Sequence, residues 1–177
     1  MPDIAPSEGG AAELSFSPMQ PADLDEVLKI ESVSHIHPWT KGNFSDSLAA
    51  GHWAYCIRPQ LEQIVKGSYL DPSVLWAYCI LFPAVDELHL LNITVSTHLR
   101  KLGLGQRIMA AIEGVAAQQK IPRIILEVRP SNTAAVALYK RLEYEQIGMR
   151  KHYYPTDSKT GSREDALVMA KSIKLEI

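Results

Sequence analysis

A glycine pair in a basic turn, a glutamate inside an apolar run and a tyrosine in an alanine-rich segment are the residues of this chain that could do chemistry together. The turn lies in V-S-T-H-L-R-K-L-G-L-G-Q-R, Val95 to Arg107. An apolar stretch ends there, a basic turn follows, and a helix opens at Gly-x-Gly. Unpaired N–H groups at a helix start attract anions, and the macrodipole adds to the attraction. Gly103 and Gly105 lack a Cβ, so backbone can approach a pyrophosphate, and Arg100, Lys101 and Arg107 add positive charge. The same pattern also fits a plain strand-to-helix turn. No Gly-Lys-Ser/Thr follows, which excludes a Walker loop. The third glycine of a dinucleotide fingerprint is missing too.

Glu127 sits in Ile124-Ile125-Leu126-Glu127-Val128, where a carboxylate is costly to bury. It reads as an edge-strand glutamate paired with Arg129 or another base, with a proton acceptor as the alternative. Tyr139, in A-V-A-L-Y, suits a proton donor, or a core aromatic with a satisfied hydroxyl. Asn132 reads as a helix cap. The six histidines, His35, His37, His52, His89, His98 and His152, show no paired zinc spacing, so no metal is expected. No serine has a nucleophile-elbow context.

These groups need a strand, a turn and a helix on each side, and the pattern supplies them. Leu88 to Val95 reads as a strand. Gly103 to Lys120 reads as an amphipathic helix, with Leu104, Ile108, Ile112 and Val115 on one stripe and Pro122 as its stop. Arg123 to Arg129 is a strand with Ile124, Leu126 and Val128 on one face and Ile125, Glu127 and Arg129 on the other. Ser131 or Asn132 caps the next helix, to about Leu142. Upstream, Leu14 to Ser17 reads as a strand, Pro21 as the first turn of a helix, and His37-Pro38-Trp39 as a loop. Thr40 caps a second helix through Leu48. Trp53-Ala54-Tyr55-Cys56-Ile57 and Trp76-Ala77-Tyr78-Cys79-Ile80 are the same five residues twice, read as neighbouring strands. The connection Arg58 to Val74 is long for a hairpin and reads as an insertion. Ile147 to Tyr154 and Ala166 to Ile173 read as antiparallel strands joined by turn-forming residues 156–161.

The order is mixed α/β. The 177 residues suit one domain, 14–177, behind a disordered tail, 1–13. A net charge of −2 gives no overall attraction to nucleic acid or anionic lipid. Nothing resembles a membrane span or a signal peptide. A cytoplasmic, monomeric protein with Cys56 and Cys79 as free buried thiols is expected.

R-K-L-G-L-G resembles the Arg/Gln-x-x-Gly-x-Gly/Ala turn of the GNAT family of N-acetyltransferases. The His37-Pro38-Trp39 loop, L-E-V-R-P-S-N-T-A-A-V-A-L-Y and H-Y-Y-P-T-D with the later R-E-D-A-L-V-M-A resemble one branch of it, over roughly Leu14 to Ile173. That branch acetylates the N-terminal alanine of small-subunit ribosomal protein eighteen. The resemblance implies a central twisted, mostly antiparallel sheet flanked by helices, acetyl-coenzyme A as co-substrate and a ribosomal protein N-terminal peptide as partner. It implies that Glu127 accepts a proton and Tyr139 donates one. It implies that main-chain groups of Ile93, Thr94 and Val95 hold the pantetheine arm, that Lys101, Leu102, Gly103, Leu104, Gly105 and Gln106 cradle the pyrophosphate, and that Asn132 also binds coenzyme A. It further implies a peptide groove walled by the 37–39 loop and the terminal hairpin. Glu164 and Asp165 are candidate acidic contributors to that groove, with Asp23, Glu31 and Asp46 as others. Leu142-Glu143-Tyr144 departs from the branch's Leu-Gly-Phe, and the 58–74 connection is a second departure. Other N-termini, lysine or small amines are alternative acceptors. A non-catalytic coenzyme A sensor is a further alternative, against which the retention of Glu127 and Tyr139 argues.

Overall fold

Strands that are apolar along their whole length need cover on both faces. A computed structural model describes residues 1–4, 14–60, 63–65, 68–71, 73–156 and 161–175. In chain order the elements are β1 (Leu14–Pro18), a 3-10 turn (Pro21–Asp23), α1 (Leu24–Ser34), α2 (Lys41–Ala49), β2 (Trp53–Pro59), β3 (Gln63–Val65), β4 (Ser68–Leu70), β5 (Ala77–Pro83) and β6 (Leu88–Val95). A second 3-10 turn (Thr97–Leu99), α3 (Leu104–Gln118), β7 (Arg123–Val128), α4 (Thr133–Arg141), β8 (Glu145–Tyr154) and β9 (Glu164–Ser172) follow. Seven strands form one sheet in the order β1-β2-β5-β6-β7-β9-β8. Every neighbouring pair is antiparallel except β6 and β7, which are parallel and joined through α3.

Helices cover both faces. Ile108, Met109, Ile112 and Val115 of α3 and Tyr139 of α4 pack with Ile57, Cys79, Leu81 and Leu126 on one face. Leu24, Val27 and Ile30 of α1 and Phe44 of α2 pack with Ala54, Cys56, Tyr78 and Ile80 on the other. The two copies of the repeated pentapeptide are adjacent strands, with Tyr55 opposite Cys79 and Cys56 opposite Tyr78. Successive residues point to opposite faces, so Tyr55 and Cys79 enter one core while Cys56 and Tyr78 enter the other. Both cysteines are free and buried, on opposite sides of the sheet.

Two local readings need correction, the tail and the stop of α3, and the 58–74 connection gains detail. The first four residues of the expected tail are seated on the domain: Ile4 lies in the core, and the Pro2 carbonyl accepts from Tyr55 Oη at 2.6 Å. Residues 5–13 lie outside those described. The 58–74 connection contains the separate two-stranded ladder β3–β4. Pro122 is not what ends α3. Lys120 turns left-handed at φ +56°, its N–H reaches the Ala117 carbonyl, and the Ile121 N–H reaches Ala116, which closes a Schellman motif before the proline. The 157–160 part of the last turn lies outside the described residues.

The end of α4 repeats the device. Glu143 takes φ +66°, its N–H bonds to the Lys140 carbonyl, and Tyr144 N–H bonds to Tyr139 at 2.9 Å. The departure from glycine therefore leaves the cap intact and places its cost in a left-handed glutamate. Tyr144 and Tyr139 are the two residues that a Schellman motif brings into contact, and their ring centroids lie 5.9 Å apart. Glu143→Gly is expected to stabilise the fold by about 1 kcal/mol, raising Tm by about 2–4 °C. Calorimetric melting checks this, and an unchanged or lower Tm would show that the turn carries no strain.

Candidate active site

β6 pairs with β5 along its whole length, but with β7 only at Leu88↔Ile124, His89↔Ile125 and Leu90↔Leu126. On its other edge the register slips between Ile80 and Leu81, which makes Leu91 the extra residue of a β-bulge. A bulge bends its strand and raises the twist. Past it, β6 from Leu91 to Val95 and β7 at Glu127 and Val128 no longer face each other as a ladder. β7 keeps only β9, through Val168 and Leu167. The sheet opens into a wedge lined by main-chain edges that still require hydrogen-bond partners.

The glycine turn closes one end of this wedge. Arg100 Nε donates to the Val95 carbonyl at 3.2 Å and ties the turn to the strand end. Lys101 and Gly103 both have positive φ, +63° and +79°. The first bond of α3 is Arg107 N–H to the Gly103 carbonyl, 3.1 Å. The N–H groups of Leu104, Gly105 and Gln106 therefore face out of the helix start. The two glycines serve different needs. Gly103 is required by its left-handed backbone, with open space where a Cβ would stand. A Cβ on Gly105 would lie 3.1 Å from Leu138 Cδ2, so this glycine lets α3 approach α4. Open space at Gly103 beside outward N–H groups fits a pyrophosphate.

On the α1 face, Asn92 and Thr94 of β6 join a buried polar cluster. Thr94 Oγ1 lies 2.7 Å from His35 Nε2 and donates to Asn92 Oδ1 at 3.2 Å. Glu31 is only 1% exposed. It accepts from Trp39 N–H at 2.7 Å and from Tyr78 Oη, with His35 Nε2 at 3.2 Å. Burial pushes the His35 ionisation down against the pull of Glu31, and Arg100 and Arg129 push the same way as burial. The 35–40 loop is thereby tied to the strand beside the wedge. Glu31 is thus an internal anchor rather than an acid lining a groove.

Glu127 and Arg129 point to this same face, as the alternation requires. Glu127 pairs with Arg150 of β8, Oε1 to Nη1 at 2.7 Å, rather than with Arg129. The Arg150 guanidinium lies over the Tyr153 ring at 4.0 Å. Arg129 reaches Glu164 at 3.0 Å and lies over Tyr154 at 4.1 Å. Glu164 also accepts from Ser131 N–H (2.8 Å) and Ser131 Oγ (3.0 Å), so it fixes the loop before α4. Asp165 accepts from His152 N–H at 2.8 Å, and Asp23 pairs with Arg58 at 3.1 Å. The acids read as lining a peptide groove are thus largely committed to structure.

Tyr139 is 6% exposed on the opposite layer, in the α3–α4 core. Burial, with a contribution from Tyr154, pushes its ionisation well above the usual phenol range. Tyr154 is pushed up to about 12 by burial, then by Glu127 and Tyr153. Tyr154 thus interacts electrostatically with both Glu127 and Tyr139. Asn132 caps α4 by accepting from Ala135 N–H at 3.2 Å. Sequence reasoning missed Arg150, Tyr153 and Tyr154. The signal for the two tyrosines was the H-Y-Y-P-T-D match, which carried no individual roles and does not include Arg150. Among the described residues no cluster of His, Cys, Asp or Glu could hold a metal, and no helix is long and apolar enough to cross a membrane.

Residues 24–144 match the family model described as Acetyltransferase (GNAT) family. A [Ribosomal protein bS18]-alanine N-acetyltransferase of Escherichia coli is 29% identical over 161 residues, covering 91% of this chain and 99% of that protein. The protein of the same name from Haemophilus ducreyi is 30% identical over 148 residues, covering 84% and 92%. The crystal structure of the ribosomal-protein-S18-alanine N-acetyltransferase from Escherichia coli aligns with a TM-score of 0.77 at 27% identity, covering 93% of this chain and 96% of that one. It confirms a mixed α/β domain with a mostly antiparallel sheet.

Glu164 ties together β9, Arg129 and the loop into α4. Partial burial raises its ionisation, but the Ser131 N–H, Arg129 and the Ser131 hydroxyl outweigh this and hold it below 4.5. A lowered carboxylate contributes stability above its unfolded value, and loses it as pH falls through its folded value. Glu164→Gln should cost about 1–2 kcal/mol near neutrality, and the gap should shrink as pH falls through and below the usual carboxylate range. Denaturant unfolding at several pH values reads this. A gap that persists in acid would contradict the ionised role.

Proposed function

The chain belongs to the acetyltransferase (GNAT) family, and we propose that it acetylates the N-terminal alanine of ribosomal protein bS18. The observation that carries this reading is the wedge between β6 and β7, with the glycine turn at one end and Glu127 on its rim. The name shared by relatives that align with most of this chain supports the acceptor. A ribosomal protein peptide as partner and a cytoplasmic setting belong to the same reading.

When bound, acetyl-coenzyme A supplies the acetyl group as a thioester. Leu102 to Gln106, with Lys101, hold its pyrophosphate through the outward N–H groups and the open space at Gly103. The unladdered main chain of Ile93, Thr94 and Val95 orients its arm, and Asn132 contributes from the cap of α4. A protein α-amine has a pKa near 8 and must shed a proton before it attacks. The Glu127 carboxylate takes that proton, directly or through one water. Tyr139 Oη keeps its own proton across the neutral range because it is buried, and so serves as donor toward the departing sulfur.

Glu127→Gln should lower kcat by about 10²–10⁴-fold with little change in coenzyme A affinity, and the loss should shrink at high pH, where amines lose protons unaided. Tyr139→Phe should lower kcat while the protein stays folded. In the wild type, rate should hold as pH rises through the usual phenol range, since the buried form stays protonated. Stopped-flow turnover with thermal melts checks both. Wild-type kcat in the Gln variant, or lost stability with normal kcat in the Phe variant, would return these residues to structural roles.

The acceptor is tested by competition, read by mass spectrometry. An alanine-initiated bS18 peptide should be acetylated in preference to its N-terminally blocked form and to a lysine-containing peptide. Equal acetylation of the blocked form would make lysine the acceptor.

A further inference from the structure

The Glu127 carboxylate already holds a cation. Arg150 reaches it from β8, which is the edge strand of the sheet, and Arg150 remains 55% exposed against 26% for Glu127. The backbone that carries Arg150 is irregular, because the β8–β9 register shifts between Arg150 and Tyr154 and His152 takes φ +51°. That irregularity is pinned by main-chain bonds. Arg163 donates to the His152 carbonyl at 2.6 Å and the Tyr153 carbonyl at 2.7 Å, and Asp165 accepts from His152 N–H. What is fixed is the strand, while the Arg150 side chain ends on the Tyr153 ring, a soft and exchangeable resting place.

From this geometry we propose that Arg150 is a positioning residue that occupies the seat of the substrate's α-ammonium and is displaced when the peptide binds. The proposal rests on the reading that the amine approaches Glu127. Glu127 Oε1 already accepts from Arg150, so an α-ammonium that takes the same oxygen meets the like charge of the guanidinium and competes with it. An exposed ion pair is worth little and exchanges readily. Before the peptide arrives, the guanidinium holds the carboxylate in place. A group that brings no positive charge has nothing with which to displace it. The pair thus screens for a cationic amine at the first residue.

Calorimetric binding of a short peptide with a free N-terminal alanine tests this, using wild type, Arg150→Gln, Glu127→Gln and the double variant. Removing the competitor should tighten the free peptide by about threefold to fivefold. The N-terminally blocked peptide should not respond, and in the Glu127→Gln background the Arg150 change should have no effect. Unchanged or weaker binding by Arg150→Gln would overturn the proposal. So would equal tightening of the blocked peptide, or of the free peptide without Glu127. Turnover separates the two ideas, since wild-type kcat in Glu127→Gln would remove the base while these affinities still decide the exchange.

Discussion

Between β6 and β7 the hydrogen-bond ladder runs for three residues and stops, and the bulge at Leu91 is where it stops. A parallel pair buried in the middle of a sheet ordinarily continues, because each unmet N–H or C=O costs about as much as a lost hydrogen bond. Here the two edges are held apart by what flanks them. β5 grips β6 to its end, and β9 grips β7 to its end. Neither strand can rotate back to close the gap without breaking its outer ladder. The opening is therefore a rigid property of the sheet, and an amide-bearing arm can meet the edges that the strands withhold from each other.

Different layers flank the two sides of the wedge. The α1 layer presents Thr94 and His35, braced by the buried Glu31, together with the Glu127–Arg150 pair. The α3–α4 layer carries the glycine turn, and Tyr139 lies in its core. The orientation of Tyr139 depends on how α4 ends, since the motif that turns the chain at Glu143 also brings Tyr144 onto the Tyr139 ring. Strain at one surface residue thus fixes a side chain in the core.

What was legible in the sequence was mostly local. The strand at Leu88–Val95, the face on which Glu127 points, and the caps at Thr40 and Asn132 follow from alternation and from side chains that reach their own backbone a turn away. What was not legible is pairing across the fold. Arg129 was the neighbour in sequence and a natural partner for Glu127. The partner is instead Arg150, brought there by the β8–β9 register and its irregularity, which no short-range rule reports. Glu164 and Asp165 looked free because their acceptors, Ser131 N–H and His152 N–H, belong to segments that arrive only when the hairpin docks. Ile4 was read with the alanine-, glycine- and proline-rich stretch around it, although a single apolar residue suffices when Tyr55 offers a hydroxyl to anchor the chain beside it.

The twin pentapeptides carry a cost of another kind. Their antiparallel register sets each tyrosine opposite the other copy's cysteine, so the same five letters give each core one tyrosine and one cysteine. Side chains within the word cannot tell one seat from the other. The distinction comes from the flanks, where the Ala54 carbonyl accepts from Met19 and the Trp76 carbonyl accepts from Ser96. Until those flanks dock, each copy is a decoy for its twin. At the centre of the sheet, the best-buried part of the molecule, two identical words are thus sorted by their surroundings and not by their own letters.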